Sequence, residues 1–519
     1  MTLSRALAPP LLLAALAVVY LITAGGHLYS PDEEVMYRVT DSLARRGRID
    51  VPPMELGFGS AAGRDGRQYA QYGLGNSVAA IPLYHLGPMV LRLLPGDTLA
   101  QVLATGTIVN ARRYAQPTPL DYARRFAVAH TNVLVTLLQV WVIYLFALAL
   151  TAHVPGAVMT ALMYGLATQA WPHAKTFFSE PLATLSLTGG AYLLWTGFVR
   201  DSVTRLWFAG VLFGWAVITR LDSVVALPGM ALLFYAKGLS SNPEEATGES
   251  DVQLGQETAE ADVPPADLPS RVTLLSAHIA VGLPLLLAAA VVLGLNVLKF
   301  GSPFSTGYED QSEGFQFSTP LREGLLGYLI SPGRSLLLHS PPVALGLIGF
   351  PVLLRRAPAL AAGLLVSIIG IFVFHAKWQN WSGGWDWGPR HVFALSALSA
   401  VPLGALLSAR ASALTRVAAV VVFFVGIGVQ LLAISQNPIE FYEVFYRPHV
   451  EEGQTVPPAY YTVARLEGVP EPTGEDSVWT VRWSAWDGYP RLWNQGVHDL
   501  FWLRWWRWRR GSGGEAGVP

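Results

Sequence analysis

The chain predicts an all-α polytopic membrane protein, and three observations carry that prediction. Only 14% of its 519 residues are charged, against 52% hydrophobic, where a soluble protein carries about 25% charged residues. The apolar residues gather into about eleven runs that approach the roughly 20 residues needed to cross a bilayer. Lysines and arginines then fall on alternate loops, as a chain threaded back and forth through a membrane requires.

Taken in order, Met1 to Arg5 precede an apolar run to Gly26. The pattern resembles a secretory leader, but the run is long and no small-x-small cleavage site stands before the acids that follow. It reads as an uncleaved first span. Arg5 places the N-terminus in the cytoplasm, so Tyr29-Ser-Pro-Asp-Glu-Glu-Val-Met-Tyr37 emerges outside. The first outer loop is 27–125. Within it, 77–94 is apolar but broken by Pro82, Gly87 and Pro88, and carries His85 and Arg92. If 77–94 lies in the interface, Arg200, Arg205, Lys237, Arg271, Arg355, Arg356, Arg410 and Arg416 all face the cytoplasm. If it spans, all face outward, against the charge bias. The sequence therefore predicts an in-plane helix over 77–94.

Spans follow near Phe126–Leu150, Pro155–Trp171 and Pro181–Val199, then Leu206–Thr219 and Val224–Tyr235. The last two are short and read as a hairpin with Arg220 and Asp222 at its tip. Ionisable residues at that depth are functional or pair with each other. Segment 238–271 is rich in Glu, Asp, Pro, Ser and Thr and predicts a disordered cytoplasmic loop. The remaining spans lie near Val272–Leu295, Val343–Leu354, Ala359–Phe374, His391–Leu407 and Ala418–Ile434. Residues 1–434 thus form the membrane domain, and 435–519 a small extracytoplasmic tail. Its segment 499–510 interleaves Trp with Arg, as an interfacial helix does; packing against the bundle is the other reading.

The chain has no cysteine, which excludes disulfides and thiolate metal sites, and a net charge of −1. No basic stripe runs through the body, so nucleic acid is not an expected partner.

On this topology the candidate polar residues share the outer face: Asp32, Glu33 and Glu34; Arg67 and Tyr69; His173, Lys175 and Glu180; Arg220 and Asp222; Arg334; Lys377 and Arg390. Carboxylates supply a general base for a hydroxyl, or ligands for a hard divalent cation. Lys and Arg stabilise a phosphate that leaves with growing charge. Tyr69, Trp381, Trp385 and Trp387 offer faces on which sugar rings stack. Each signal alone has a plainer reading: Ser30 and Asp32 suit a helix N-cap, and Arg and Trp are routine boundary anchors. A transporter or flippase of a lipid-linked sugar instead predicts ionisable residues at mid-span. A non-catalytic assembly protein predicts dependence on the tail.

These residues resemble the membrane glycosyltransferases of the GT-C superfamily, in particular the family-39-like group with protein O-mannosyltransferases and the aminoarabinose transferase of lipid A. The resemblance runs over about 10–435. It rests on Asp32-Glu33 after the first span, Glu180 in Ser-Glu-Pro, and Gly210, Gly214, Thr219 and Arg220 in the hairpin. It rests also on the NVLKFGSPFSTGY, SPGRS and WSGGWDWGPRH stretches. It implies a GT-C-type bundle of about eleven transmembrane helices with juxtamembrane helices in the first outer loop. The implied activity is transfer of a hexose or pentose from a polyprenyl-phosphate donor to a glycan, lipid or protein hydroxyl, with inversion, on the extracytoplasmic face of a bacterial plasma membrane. Asp32 is then the base with Glu33 beside it, Glu180 the second acid, and Asp32 with Glu180 the candidate ligands of Mg or Mn. Arg67, Lys175, Arg334, Lys377 and Arg390 are candidates for the carrier phosphate. Glu34 follows the acidic pair where better-known members carry other residues, which leaves the identity of the base open by one position.

Overall fold

A computed structural model describes residues 3–52, 59–94, 96–103, 118–240, 272–309, 316–384, 386–437, 448–451, 454–458, 485–494 and 499–511. Trp385, nearly all of the loop expected at 238–271, and much of the tail lie outside the described residues.

Helix α1 (Leu3–Thr23) leads into α2 (Pro31–Arg46), then a small antiparallel sheet of β1 (Asp50–Val51), β2 (Ser60–Ala62) and β3 (Gln68–Ala70), with β3 central. The stretch expected as one in-plane helix folds as short pieces, α3 (Gly75–Ala79), α4 (Ile81–Tyr84) and α5 (Gly87–Leu93). Pro82 and Pro88 each open a new piece at an N-terminal position, where a missing N–H costs nothing. After α6 (Gly96–Leu103), α7 (Pro119–Ala129) packs beneath these pieces and runs on to α8 (Thr131–Thr151).

The bundle continues with α9 (Val154–Ala167), short α10 (Ala170–Ala174), α11 (Glu180–Val199) and α12 (Val203–Thr219). A 3-10 turn over Leu221–Ala226 leads to α13 (Leu227–Ser240), followed by α14 (Leu274–Phe300), α15 (Leu321–Ile330) and α16 (Leu336–His339). Next come α17 (Pro342–Arg356), α18 (Pro358–Lys377), α19 (Ala394–Leu406) and α20 (Ala413–Ile434). The tail adds a two-stranded ribbon, α21 (Ala485–Asn494) and α22 (Phe501–Gly511).

Among the described residues six helical segments are long and apolar enough to cross a membrane, including Pro119–Thr151, Leu274–Phe300 and Ala413–Ile434; shorter apolar helices are also present. The protein is an all-α polytopic membrane protein, because a chain this apolar satisfies its backbone in lipid only by closing hydrogen bonds within each segment. Side chains such as Leu275 and Leu286 on α14 stay exposed, as lipid permits. The inner faces bury Phe146, Leu194, Phe213, Leu233 and Leu364 in one cluster. Helices α12 and α14 lie close because Gly210 and Gly214 face the α14 backbone: a Cβ at Gly210 would come within 2.5 Å of the Val281 carbonyl.

Basic residues gather at one end of the bundle. Arg356 donates to the Leu150 carbonyl at the end of α8, at 3.2 Å, and Arg416 to the Ala409 carbonyl in the turn between α19 and α20, at 2.9 Å. The candidate site lies at the opposite ends of the same helices.

Candidate functional site

A cavity of about 520 Å³ opens where the N-terminus of α2, the segment before α11, the α12–α13 turn, the end of α14 and the loop after α18 converge. Its polar wall is built on two acid–arginine pairs.

The first pair is Asp32 with Arg390. Ser30 caps α2, accepting from Glu33 N–H at 3.3 Å, and Pro31 begins the helix, so Asp32 sits in its first turn. Its Oδ2 accepts from Arg390 Nη1 at 2.9 Å and its Oδ1 from the Tyr72 hydroxyl at 2.9 Å. Burial, and then the Asp32 carboxylate, push the Tyr72 phenol well up, so it stays a donor. The Arg390 guanidinium also lies over the Phe178 ring at 4.8 Å.

The second pair is Glu180 with Arg220. Glu180 opens α11, and its Oε1 lies 2.6 Å from Arg220 Nη1. Arg220 caps α12 in extended backbone and turns its other edge to Asp222, with Nη2–Oδ2 at 2.6 Å. His375 Nε2 meets the same Asp222 oxygen at 3.0 Å. The His391 ring lies nearly parallel to His375, with centroids 5.6 Å apart. Glu180 Oε2 and both His391 nitrogens are buried without a hydrogen-bond partner. Buried polar atoms without a partner are rare in folded proteins, which singles out these three on the cavity wall.

The rest of the wall is mixed. Val217, Ile218, Val224, Val292 and Leu295 form an apolar side, while Lys299, Tyr308 and Asn380 add polar groups. Lys299 Nζ donates to the Ala70 carbonyl at 3.0 Å and remains at the cavity edge.

Of the residues singled out in the sequence, Asp32, Glu180 and Arg390 meet here, joined by Arg220 and Asp222. The others do not line the cavity. Glu33 is fully buried beneath it, its Oε2 accepting from Tyr29 N–H at 2.7 Å, and burial pushes its carboxyl well above the usual range. Glu34 is engaged by Arg38 at 3.0 Å and Arg125 at 2.8 Å. Arg67 is half exposed beside Asp65, and Tyr69 donates to Asp65 at 2.9 Å. Lys175 is buried against Asp499, 2.8 Å away. Lys377 ends α18, partly exposed.

Arg334 has a different task. It donates to the Asp386 and Gly388 carbonyls at 2.7 and 3.4 Å, and to Gly384. Gly383, Gly384 and Gly388 adopt positive φ, which lets this loop fold around the guanidinium. A second brace is His173 Nε2 against Asp386 Oδ2 at 3.2 Å. Burial raises the Asp386 carboxyl, but His173, Arg390 and Arg334 bring it below the usual range. Trp381 packs on Gly327 and Tyr328, and Trp387 stacks on Tyr489 at 5.3 Å, both buried. The loop that delivers Arg390 is thus held from behind. Tyr72 and His375 carry no signal in the sequence, since nothing in their spacing marks a cavity wall, and Tyr308 stands out there only as the end of the NVLKFGSPFSTGY stretch.

Of the candidate cation ligands, Glu180 has a free oxygen, whereas both Asp32 oxygens are occupied. Among the described residues no group of three or more His, Asp or Glu stands together as a metal site. A cation here would need oxygens from water and substrate, as Mg commonly does.

No family model matches the chain, and no curated protein matches it. Among solved structures the chain is similar to ArnT from Cupriavidus metallidurans bound to undecaprenyl phosphate, at 12% identity and a TM-score of 0.46, covering 79% of this chain and 62% of that one. It is also similar to the archaeal oligosaccharyltransferase AglB from Archaeoglobus fulgidus in complex with an inhibitory peptide and a dolichol-phosphate. There the identity is 12% and the TM-score 0.45, with 91% of this chain and 61% of that one covered. The chain spans about three fifths of the length of both. No residue role rests on these likenesses. Fold and site together define an integral membrane protein whose helix ends enclose a cavity of paired acids and arginines.

Proposed function

We propose that the protein is a glycosyltransferase that moves a sugar from a polyprenyl-phosphate donor to an acceptor hydroxyl, on the extracytoplasmic side of the membrane. The observation that carries this reading is that Asp32 and Glu180, each paired with an arginine, face one cavity whose other wall is apolar. A lipid phosphate needs that combination: cations for its head and hydrocarbon for its tail. A volume of about 520 Å³ suits a sugar with its phosphate, within the roughly 300–1,000 Å³ of small-molecule sites.

In this mechanism the acceptor oxygen attacks the anomeric carbon while Asp32 takes its proton. The bond from that carbon to the phosphate oxygen breaks, and the lipid phosphate leaves with the bonding pair. Arg220, Arg390 and Lys299 are the cations placed to meet the developing charge. Attack opposite the leaving phosphate inverts the anomeric centre. Glu180 holds Arg220 toward the cavity, and its free Oε2 is the atom that a sugar hydroxyl or a divalent cation would meet. Hexose or pentose, and glycan, lipid or protein acceptor, are decided by the shape of the same cavity.

The test is mass spectrometry of lipid-linked sugars in cells with and without the protein. One polyprenyl-phosphate sugar accumulates when the protein is absent and is consumed when it is restored, but not when Asp32→Asn is restored at equal membrane level. Identical lipid-linked sugar pools in all three strains would sink the proposal.

A further inference from the structure

We infer that Asp499, in the C-terminal segment, is a positioning residue of the cavity: it ties together the two chain segments that carry Asp32 and Glu180. The effect on catalysis rests on the proposed transferase reading, whereas the tie itself does not.

Asp499 is completely buried, yet it lines no part of the cavity. Its Oδ1 accepts from His27 Nε2 at 2.7 Å and from Arg504 Nη2 at 2.8 Å. Its Oδ2 accepts from the Tyr29 hydroxyl at 2.6 Å and from Lys175 Nζ at 2.8 Å. Four donors thus converge on one carboxylate, Arg504 from its own segment and the other three from two distant parts of the chain, 27–29 and 175, and charged donors make such bonds strong in a dry interior. Lys175 spends its other bonds on the Ile434 and Gln436 carbonyls, at 2.8 and 3.0 Å. The backbone repeats the link, with Asp499 N–H to the Ser435 carbonyl and Phe501 N–H to the Ala24 carbonyl, both at 3.0 Å. Gly25 leaves room for it: a Cβ there would stand 2.1 Å from the Tyr29 hydroxyl.

From this hub the chain runs directly to both acids. Tyr29 N–H donates to Glu33 Oε2 at 2.7 Å, inside the first turn of α2 that holds Asp32. Lys175 caps α10, just before the segment that enters α11 at Glu180. Asp499 therefore joins the 24–33 segment to the 173–180 segment and sets how far apart their carboxylates stand. A displacement of about 1 Å at such groups costs on the order of 100-fold in rate.

The chain has no cysteine, so Leu28→Cys, at a site 6% exposed, reports on the 24–33 segment by maleimide labelling of the full-length protein. Adding Asp499→Asn is expected to raise labelling about tenfold by opening the segment. It is expected to lower kcat about 10- to 100-fold while KM for the lipid donor moves less than about threefold. Tyr29→Phe, which removes one bond and leaves Lys175 paired, moves both readouts the same way by about two- to fivefold, and decides the matter if Asp499→Asn does not fold. Unchanged labelling overturns the tie, and raised labelling with unchanged kcat overturns its role in positioning. If the parent protein transfers no sugar from any polyprenyl phosphate, the transferase reading falls, and labelling alone still decides the tie.

Discussion

Asp32 and Arg390 stand 358 positions apart in the chain and meet at 2.9 Å, with their side chains 13% and 15% exposed. The pair closes the cavity between the start of α2 and the loop after α18. It also makes each partner depend on the other, since a carboxylate or guanidinium left unpaired in a nearly dry wall is costly.

Asp32→Asn is expected to lower the transfer rate by about 100-fold or more, the usual scale for losing a general base. It also leaves Arg390 without its counter-charge, at about 1–3 kcal/mol of stability. The double variant Asp32→Asn/Arg390→Gln should regain much of that stability while staying inactive. Thermal unfolding read beside activity separates the two effects, and an active double variant would rule out Asp32 as the base.

Arg220 bridges Glu180 and Asp222, which takes a planar fork. Arg220→Lys keeps the charge but cannot hold both carboxylates in place. Activity should fall by about 10- to 100-fold with a raised KM for the lipid donor. Equal kinetics for the lysine variant would mean that only net charge matters here.

Arg334 shapes the loop behind Arg390 through backbone carbonyls. Arg334→Lys should therefore cost about 1–3 kcal/mol of stability, from carbonyls left unsatisfied, and lower kcat through a misplaced Arg390. Were Arg334 a phosphate ligand, the variant would instead raise KM for the lipid donor with unfolding unchanged.

Glu33 sets a pH dependence. Burial raises its carboxyl well above the usual value, so the folded state holds a proton that the unfolded state gives up near pH 4.3, an approximate reference value. The stability Glu33 contributes is complete below that pH and is lost as pH rises toward the raised folded value. Glu33→Gln, a mimic of the protonated form, should flatten this part of the stability profile and match or exceed the parent at pH 8. A Gln variant that is less stable at every pH would show that the carboxylate is the favoured form.

Cation dependence follows from the donor set. In the proposed mechanism two arginines meet the developing phosphate charge, and of the two candidate cation ligands, Asp32 and Glu180, it is Glu180 that has an unpaired oxygen, Oε2. Transfer is therefore expected to hold within about twofold after EDTA treatment. A loss restored by Mg or Mn would instead assign a cation to Glu180 and the substrate oxygens.

The membrane class was legible in the sequence because the free energy of moving a segment into lipid is a local sum over its own residues. The same holds for the breaks at Pro82 and Pro88 and for the clustering of basic residues at one set of helix ends. Asp32, Glu180 and Arg390 could be singled out as ionisable groups where apolar runs end. Lys175, Arg334, Trp381 and Trp387 have the same local character, yet they are spent on holding loops together. What separates the two sets is partner choice. Whether an arginine meets Asp32 across 358 positions or the carbonyls of a glycine-rich loop depends on helix rotation, loop closure and the approach of a distant C-terminal carboxylate. Those are settled only when the whole bundle packs, because the energy of a buried charge is determined by what surrounds it and not by its neighbours in sequence.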